Sequence, residues 1–488
     1  MSNELFDYAL ESQTIPKKQR ISSTHSTPQI ARDLLFQKYK DKLHIKSDLT
    51  RSLVSFQSNK SLPFYRWMKY KEAFSCELVR YVLNKFNITN KKSLHVLDPF
   101  AGAGTTLTAA TKTGWSATGI KLLPVGTAAI KARLCADNVD LDAFKSELNR
   151  LQNTTLIDYH TNGYEFPHVR ITQGAFSRET EKAISAYMAF IDDIKNADVR
   201  FLFWFSLISI LEEISFTRKD GQYLRWDKRS GRSLKSSFHK GEIPGLNRAI
   251  ARKLKIIRED LENRNSGTFS QNVKVIEGSC LYELPKLPSD TFNLVMTSPP
   301  YCNRYDYTRT YALELAFLGY NEKAINHLRQ TLLSATVENK TKQNSLKNFY
   351  DRKGCRERFK KAQITFNNQE TLKEVLNILW EARERKDLNN NNIPIMVKNY
   401  FFEMNVVISE LARVLSPGGH VIMVNDNVQY HGEEIPVDLI LSDFAQSAGL
   451  EVDAIWILPK GKGNSSQQMG THGRRELRKC VYVWSKPA

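Results

Sequence analysis

Ser298 and Tyr301 stand on either side of a stiff Pro299-Pro300 step, at the end of the run Phe292-Asn293-Leu294-Val295-Met296-Thr297. A hydroxyl, carbonyls without a neighbouring N–H, and an aromatic face converge within four residues. That set suits a planar base carrying an amino group, with acceptors for its N–H protons and a ring to stack on. Leu294 to Met296 reads as a buried strand of the parallel-sheet kind. Prolines cannot continue a central strand, so the chain must leave the sheet at its carboxyl edge, where open α/β folds bind ligands. A proline-rich turn after a strand is the plain alternative.

A second stretch narrows the choice. Leu94-His95-Val96-Leu97-Asp98 reads as a short strand, followed by Pro99-Phe100-Ala101-Gly102-Ala103-Gly104-Thr105-Thr106 and a helix running through Ala109-Ala110. Gly102 and Gly104 let a ligand approach the backbone closely. Strand, glycine loop and helix make a Rossmann-like first unit. A Walker loop needs Gly-Lys-[Ser/Thr], and a dinucleotide fingerprint needs a third glycine at Leu107; both are absent. The next strand is expected at Ser116–Ile120, leading into Lys121.

Together the two motifs resemble those of the S-adenosylmethionine-dependent DNA amino-methyltransferases. Asp98-Pro99-Phe100-x-Gly102-x-Gly104-Thr105 is similar to the family's cofactor motif. Thr297-Ser298-Pro299-Pro300-Tyr301 is similar to its catalytic motif, in the serine form most typical of the cytosine-N4 branch. Adenine-N6 members more often carry Asp or Asn in place of the serine. The resemblance covers roughly residues 61–125, 273–320 and 403–486, about half of the chain. It implies an α/β fold, a Rossmann-like methyltransferase core with a mostly parallel sheet, interrupted by two largely helical insertions. It implies methyl transfer from S-adenosylmethionine to an exocyclic base amine, with cytosine N4 the expected acceptor. Adenine N6, RNA or protein amines, and a DNA-binding homologue without catalysis are the alternatives.

The resemblance also assigns roles. Ser298, Pro299, Pro300 and Tyr301 are the expected catalytic residues. Asp98, Pro99, Phe100, Gly102, Gly104, Thr105 and Thr106 are the expected cofactor residues. An amphipathic helix is expected within 61–87, with Phe74, Leu78, Val79, Val82 and Leu83 at helical spacing. In the family such a helix helps to hold the methionine end of the cofactor, and Lys71 and Phe74 are compatible with that; an ordinary packing helix explains them equally. Lys121 occupies the place of an acid whose carboxylate binds the ribose hydroxyls, and lysine cannot accept those bonds. Either another group takes the ribose or the cofactor is held weakly. Ser279 and Asn293 replace two further acids and can still hydrogen-bond.

Composition limits what else the chain can be. At 488 residues, 41% hydrophobic and 25% charged, it reads as soluble and globular with more than one domain. The opening Met-Ser-Asn-Glu-Leu-Phe-Asp lacks a basic region followed by an apolar one, so no signal peptide is expected. No apolar run reaches about eighteen residues; the richest, Phe201–Ile214, ends in charged Glu212-Glu213 nearby. Lys plus Arg exceed Asp plus Glu by 70 to 52, a net +18, which favours a polyanionic partner. Double-stranded DNA is the expected one, in the cytoplasm of a bacterial or archaeal cell and associated with its nucleoid. The six cysteines include no CxxC pair, which argues for a reducing compartment and against a zinc site. No Pro-Cys dipeptide occurs, whereas familiar carbon-5 cytosine methylation uses a cysteine in that setting.

In chain order, residues 1–60 read as a polar, partly ordered arm, and 61–140 as the first half of the core. Residues 141–270 read as a helical insertion ending in an aromatic and basic run; Arg218, Lys219, Tyr223, Arg225, Trp226 and Arg229 are its candidate DNA contacts. Core with the catalytic motif occupies 271–320; Arg304, Tyr305, Tyr307 and Tyr311 are placed at the lip of a base pocket. Residues 321–402 read as a basic, mainly helical insertion with Lys342 among its cations and a loop at Asn389–Asn392; it is a second candidate for DNA contact and target recognition, and Arg352 and Arg356, with Arg304, are further candidate DNA contacts. Residues 403–488 complete the core with a strand at His420–Asn425, a helix at Pro436–Ala448 and an edge hairpin. No nuclease-like domain is apparent, so any restriction endonuclease is expected to be separately encoded.

Overall fold

The computed structural model describes residues 30–70, 73–86, 94–156, 163–220, 223–233, 238–264, 272–459 and 476–488. Twelve strands occur among them. They are β1 (Leu43–Ile45), β2 (His95–Asp98), β3 (Ser116–Lys121), β4 (Thr217–Asp220), β5 (Tyr223–Trp226), β6 (Val273–Glu277), β7 (Phe292–Thr297), β8 (Leu415–Asp426), β9 (Val428–Tyr430), β10 (Glu433–Ile435), β11 (Glu451–Ile457) and β12 (Lys479–Ser485). Eight form one sheet in the order β1-β11-β12-β8-β7-β2-β3-β6. All neighbours are parallel except that β12 runs opposite to β11 and β8. This is a mostly parallel α/β sheet.

Apolar runs make the central strands because both faces of the sheet are covered. Leu294 and Met296 of β7 face one way, with Val96, Ile422 and Val424, under α2 (Cys76–Lys85) and α3 (Thr105–Thr111). Val295 faces the other way, with Leu97, Val421 and Met423, under a long helix at Ile393–Val414 and another at Val437–Ser447. A third apolar cluster joins α4 (Pro124–Cys135), α5 (Leu141–Gln152), α6 (Arg178–Asp192), α7 (Ala197–Ile214) and α8 (Leu246–Glu262). α7, apolar on every side, lies at its centre, as all-round hydrophobicity requires. No described helix is long and apolar enough to cross a membrane.

Three expectations change. The helix expected in 61–87 begins only at Cys76, where Ser75 Oγ accepts the Leu78 N–H at 3.2 Å. The stretch before it is held instead by Asp260 of α8, which accepts from Phe64 N–H (2.8 Å), Trp67 Nε1 (2.7 Å) and Arg66 Nη2 (2.6 Å). The closing hairpin is not the sheet edge, because β1 pairs outside β11. And the arm is not an arm from residue 30 onward. The helix α1 (Ile30–Tyr39) buries Arg32 between Glu374 (2.6 Å) and Glu433 (2.8 Å), and Leu49 and Phe56 are buried. A polar composition hid this, since α1 buries a guanidinium beside Leu35 and Tyr39, while its Ile30 and Leu34 stay exposed.

Removing one member of a buried ion pair leaves the other uncompensated. Arg32→Ala should therefore cost about 3 kcal/mol in denaturant unfolding and open residues 30–45 to limited proteolysis. Wild-type stability and cleavage would show that the two glutamates do not anchor this segment.

Candidate active site

Asp98 ends β2 and Thr297 ends β7, the neighbouring strands from which the chain winds out in opposite directions. Brought together there, Thr297 Oγ1 donates to Asp98 Oδ1 at 2.7 Å and Thr106 Oγ1 donates to Oδ2 at 2.8 Å. The Phe100 N–H adds a third bond at 3.1 Å. One carboxylate thus ties the glycine loop, its helix and β7. Burial nonetheless pushes its pKa up to about 6, against the lowering effect of those donors and of the Lys121 charge.

Above this hub lies a cleft of about 590 Å³ that opens to solvent. Of the sequence-named residues, Pro99, Phe100, Gly102, Lys121, Ser279, Ser298 and Pro300 line it. Cofactor-motif and catalytic-motif residues therefore share one cavity. Gly102, at φ +50°, carries the turn. Gly104 caps α3 at φ +78° and has Ile130 packed where a side chain would stand. Thr105, Thr106 and Gly104 support the loop and do not line the cleft. Phe74 packs in the core under the sheet, and Lys71 lies outside the described residues. Asn293 sits at the start of β7, away from the cleft, where its Oδ1 accepts the His95 N–H at 2.9 Å.

Lys121 is buried and turned inward. Its Nζ donates to Tyr70 Oη at 3.1 Å and lies 5.1 Å from the centre of that ring. A side chain at Gly126 would collide with Lys121 and with the Gly102 carbonyl, so Gly126 makes the room for this arrangement. Tyr70, which sequence reasoning passed over, lines the cleft and stacks on Tyr311 at 5.1 Å. The only signal for it was the dense aromatic content of residues 64–74. Leu332 and Leu333 were missed altogether. They are held by Glu403, which accepts from Ser334 N–H (2.8 Å), Ser334 Oγ (2.6 Å) and Lys342 Nζ (2.9 Å). Lys342, expected in a basic surface run, is thereby buried.

In the Ser-Pro-Pro-Tyr loop the Ser298 hydroxyl donates to Tyr301 Oη at 3.3 Å. Burial raises the Tyr301 phenol well above its ordinary range, and nearby Asp426 adds to the effect, so it stays protonated. Pro299 and Tyr301 lie outside the cleft lining; Tyr307, from the expected lip, lines it. From the β9–β10 hairpin, Tyr430 Oη donates to the Cys302 carbonyl at 2.7 Å and steadies the loop from the far side. Arg304 sits at φ +64° with Nη1 3.0 Å from Asn389 Oδ1.

No protein-family model matches the chain. Curated relatives do. The type II methyltransferase M.AvaI of Nostoc sp. is 46% identical over 468 residues, spanning 93% of this chain and 92% of its own. A protein of the same name from Anabaena variabilis aligns with the same figures. The type II methyltransferase M.BsoBI of Geobacillus stearothermophilus is 39% identical over 486 residues, 96% of this chain and 94% of its own. The chain belongs to the type II methyltransferases. The shared cleft is the feature of the fold in which such an activity can reside.

The candidate DNA contacts of this type II methyltransferase do not share one environment. Lys219 is buried in an ion pair with Glu314 and lies 4.4 Å from the Tyr311 ring centre. Trp226 is buried with Arg232 stacked on it at 3.7 Å. Arg229 is clamped to buried Asp227 at 2.7 and 2.8 Å. Lys219 and Trp226 are structural, because alternation along a half-buried strand sends every second side chain inward whatever its charge; Arg229, on the turn after β5, is exposed but held by Asp227. Arg218 and Arg225 remain exposed. Arg356 is exposed with Asp351 at 3.3 Å, and Arg352 caps its own helix through the Asn348 carbonyl. The Tyr223 side chain lies outside the described residues.

Asp98 gives the site a pH signature. Between the ordinary carboxyl value of about 4 and about 6, the folded chain keeps a proton that the unfolded chain has released. Stability contributed by the site thus falls as pH rises through that window. Asp98→Asn removes the titration. Its unfolding free energy, relative to wild type, should improve by about 3 kcal/mol between pH ~4 and ~7, whatever fixed loss the carboxamide incurs. A difference that stays flat across that range contradicts the assignment.

Proposed function

We propose that the chain is a site-specific DNA methyltransferase of a restriction–modification system, carrying a methyl group from S-adenosylmethionine to cytosine N4. The observation that carries this reading is that Ser298 lines the same cleft as Pro99, Phe100 and Gly102. An acceptor for a base amine and a glycine loop suited to the cofactor then face one space. The relatives' names, type II methyltransferases, support the reaction class. The serine form of the motif supports cytosine over adenine by resemblance.

The cleft residues suit the cofactor. Apolar Pro99, Phe100, Ile120 and Leu122 offer faces for the adenine, and Gly102 leaves its backbone open to the methionyl end. S-adenosylmethionine bound there supplies an electrophilic methyl group. The chain's own work is positioning. Ser298 directs its hydrogen to Tyr301 Oη, which leaves the serine lone pairs free to accept from a base amine. Tyr301 fixes that orientation from outside the cleft lining. A target reaches such a site only when turned out of the duplex.

Lys121 takes the ribose with the hydrogen-bond polarity inverted. Its ammonium donates to the sugar oxygens where an acid would accept from their hydroxyls, and Ser279, which makes no cap bond of its own, can accept. Lys121→Ala should weaken S-adenosylmethionine binding about tenfold by calorimetry, near the value of one hydrogen bond to a charged group. Tighter binding by the alanine variant would make Lys121 an obstruction and favour a DNA-binding homologue without catalysis.

Nucleoside mass spectrometry on DNA from cells expressing the protein tests the reaction. N4-methylcytosine is expected with wild type, and about a hundredfold less with Ser298→Ala. Tyr301→Phe should fall between the two, since it frees the serine hydroxyl and keeps the ring. N6-methyladenine would overturn the choice of base. Absence of both products from folded wild-type protein would overturn the reaction.

A further inference from the structure

The hairpin β4–β5 is fastened to the catalytic region from below. Lys219 reaches inward from β4 to Glu314, two buried side chains in a region that also holds Tyr311. Glu314 and Tyr311 belong to the segment that follows the Ser-Pro-Pro-Tyr loop, and Tyr311 stacks on Tyr70 of the cleft wall. β5 also packs on the short helix Tyr307–Thr310, whose Tyr307 lines the cleft. The hairpin is therefore one side-chain layer from the cleft mouth.

Its outer face carries an arrangement that costs energy in isolation. Arg218 and Arg225 are directly opposite each other across the two strands, and both are exposed. Both guanidiniums lie against one ring, at 5.5 and 5.4 Å from the centre of Phe238. Like charges directly opposite on a sheet repel. Asp220 offsets this for Arg225 alone, at 3.2 Å with both partners about half exposed, and such surface pairs contribute little. A phosphate would accept from both forks at once, with charge-assisted bonds that replace the weak pair.

The other basic run is at the wrong edge of the molecule. Tyr350 and Arg358 both bind Glu410, at 3.0 Å each, near the end of the long helix that leads directly into the first residue of β8. Arg352 and Arg356, lying between those two anchors in sequence, therefore stand near the amino edge of the sheet. Ser298 leaves β7 at the carboxyl edge, and six residues of strand separate the edges, about 20 Å.

We infer that the β4–β5 hairpin grips the DNA backbone beside the cleft, with Arg218 and Arg225 as phosphate ligands, and that the Arg352–Arg356 surface does not. This rests on the DNA-methyltransferase reading above. Fluorescence anisotropy with the full chain and a short duplex, between about 50 and about 200 mM salt, counts such contacts, because each phosphate neutralised adds about 0.9 to the salt slope. Arg218→Ala/Arg225→Ala should flatten the slope by about two and each single glutamine variant by about one, with melting unchanged. Arg218→Lys/Arg225→Lys should keep the slope, and Arg352→Ala/Arg356→Ala should leave it at the wild-type value. A wild-type slope in the hairpin double variant, or a flattened one in Arg352→Ala/Arg356→Ala, overturns the assignment while wild-type methylation stands. No salt-dependent binding by wild type itself would overturn this inference and the DNA reading together.

Discussion

Asp98 takes hydrogen bonds from Thr297, Thr106 and the Phe100 N–H, and those donors belong to β7, the helix after the glycine loop and the loop itself. The point matters because β2 and β7 touch at the place where the sheet's winding reverses and a crevice must open. A crevice has no side-chain packing of its own to set the distance between its walls. A buried carboxylate with three donors does, since each bond is directional and leaving any donor unpaired in that environment is costly. Burial raises the pKa of this carboxyl because the charged form would be easier to accommodate in water.

Other supports act on the same walls from outside. Tyr430 holds the Cys302 carbonyl, Glu403 holds Ser334 behind Leu333, and Asp260 holds the chain that brings Tyr70 to the cleft. Each is a polar group buried in contact with main chain that is neither helix nor sheet. That is the expected pattern where loops must be rigid: irregular backbone cannot satisfy itself, so side chains from distant elements do it. The Ser298 hydroxyl continues the logic at the smallest scale. Its donor is engaged by Tyr301, and what faces the cleft is acceptor.

Strands β2, β3, β7, β8, β11 and β12 were legible because burial in the sheet writes a short apolar run, and Gly or Pro marks where it stops. The two loops at their ends were legible for the same reason: special backbone needs special residues. Tyr70, Leu332 and Leu333 were not, because nothing in their neighbours' types encodes which cavity they close. α1 was not, because an arginine between two glutamates helps to bind it, and an ion pair of sequence-distant partners has no periodicity. Asn293 illustrates the opposite error. It seemed to replace a functional acid, yet lies at the far end of its strand and stitches β7 to β2.

Charge was the weakest guide of all. A net +18 attracts polyanions to the whole molecule, but it does not say which cation meets one. Lys219 and Lys342 are buried against carboxylates, Arg32 lies between two, and Arg229 and Arg358 are held by others. An arginine or lysine with an inward carboxylate partner has its geometry decided by the fold. One left outside, opposite its like and against an aromatic ring, has a geometry decided by strand register and a charge that the fold offsets only weakly. Recognition is best sought where the fold holds a charge in position without neutralising it.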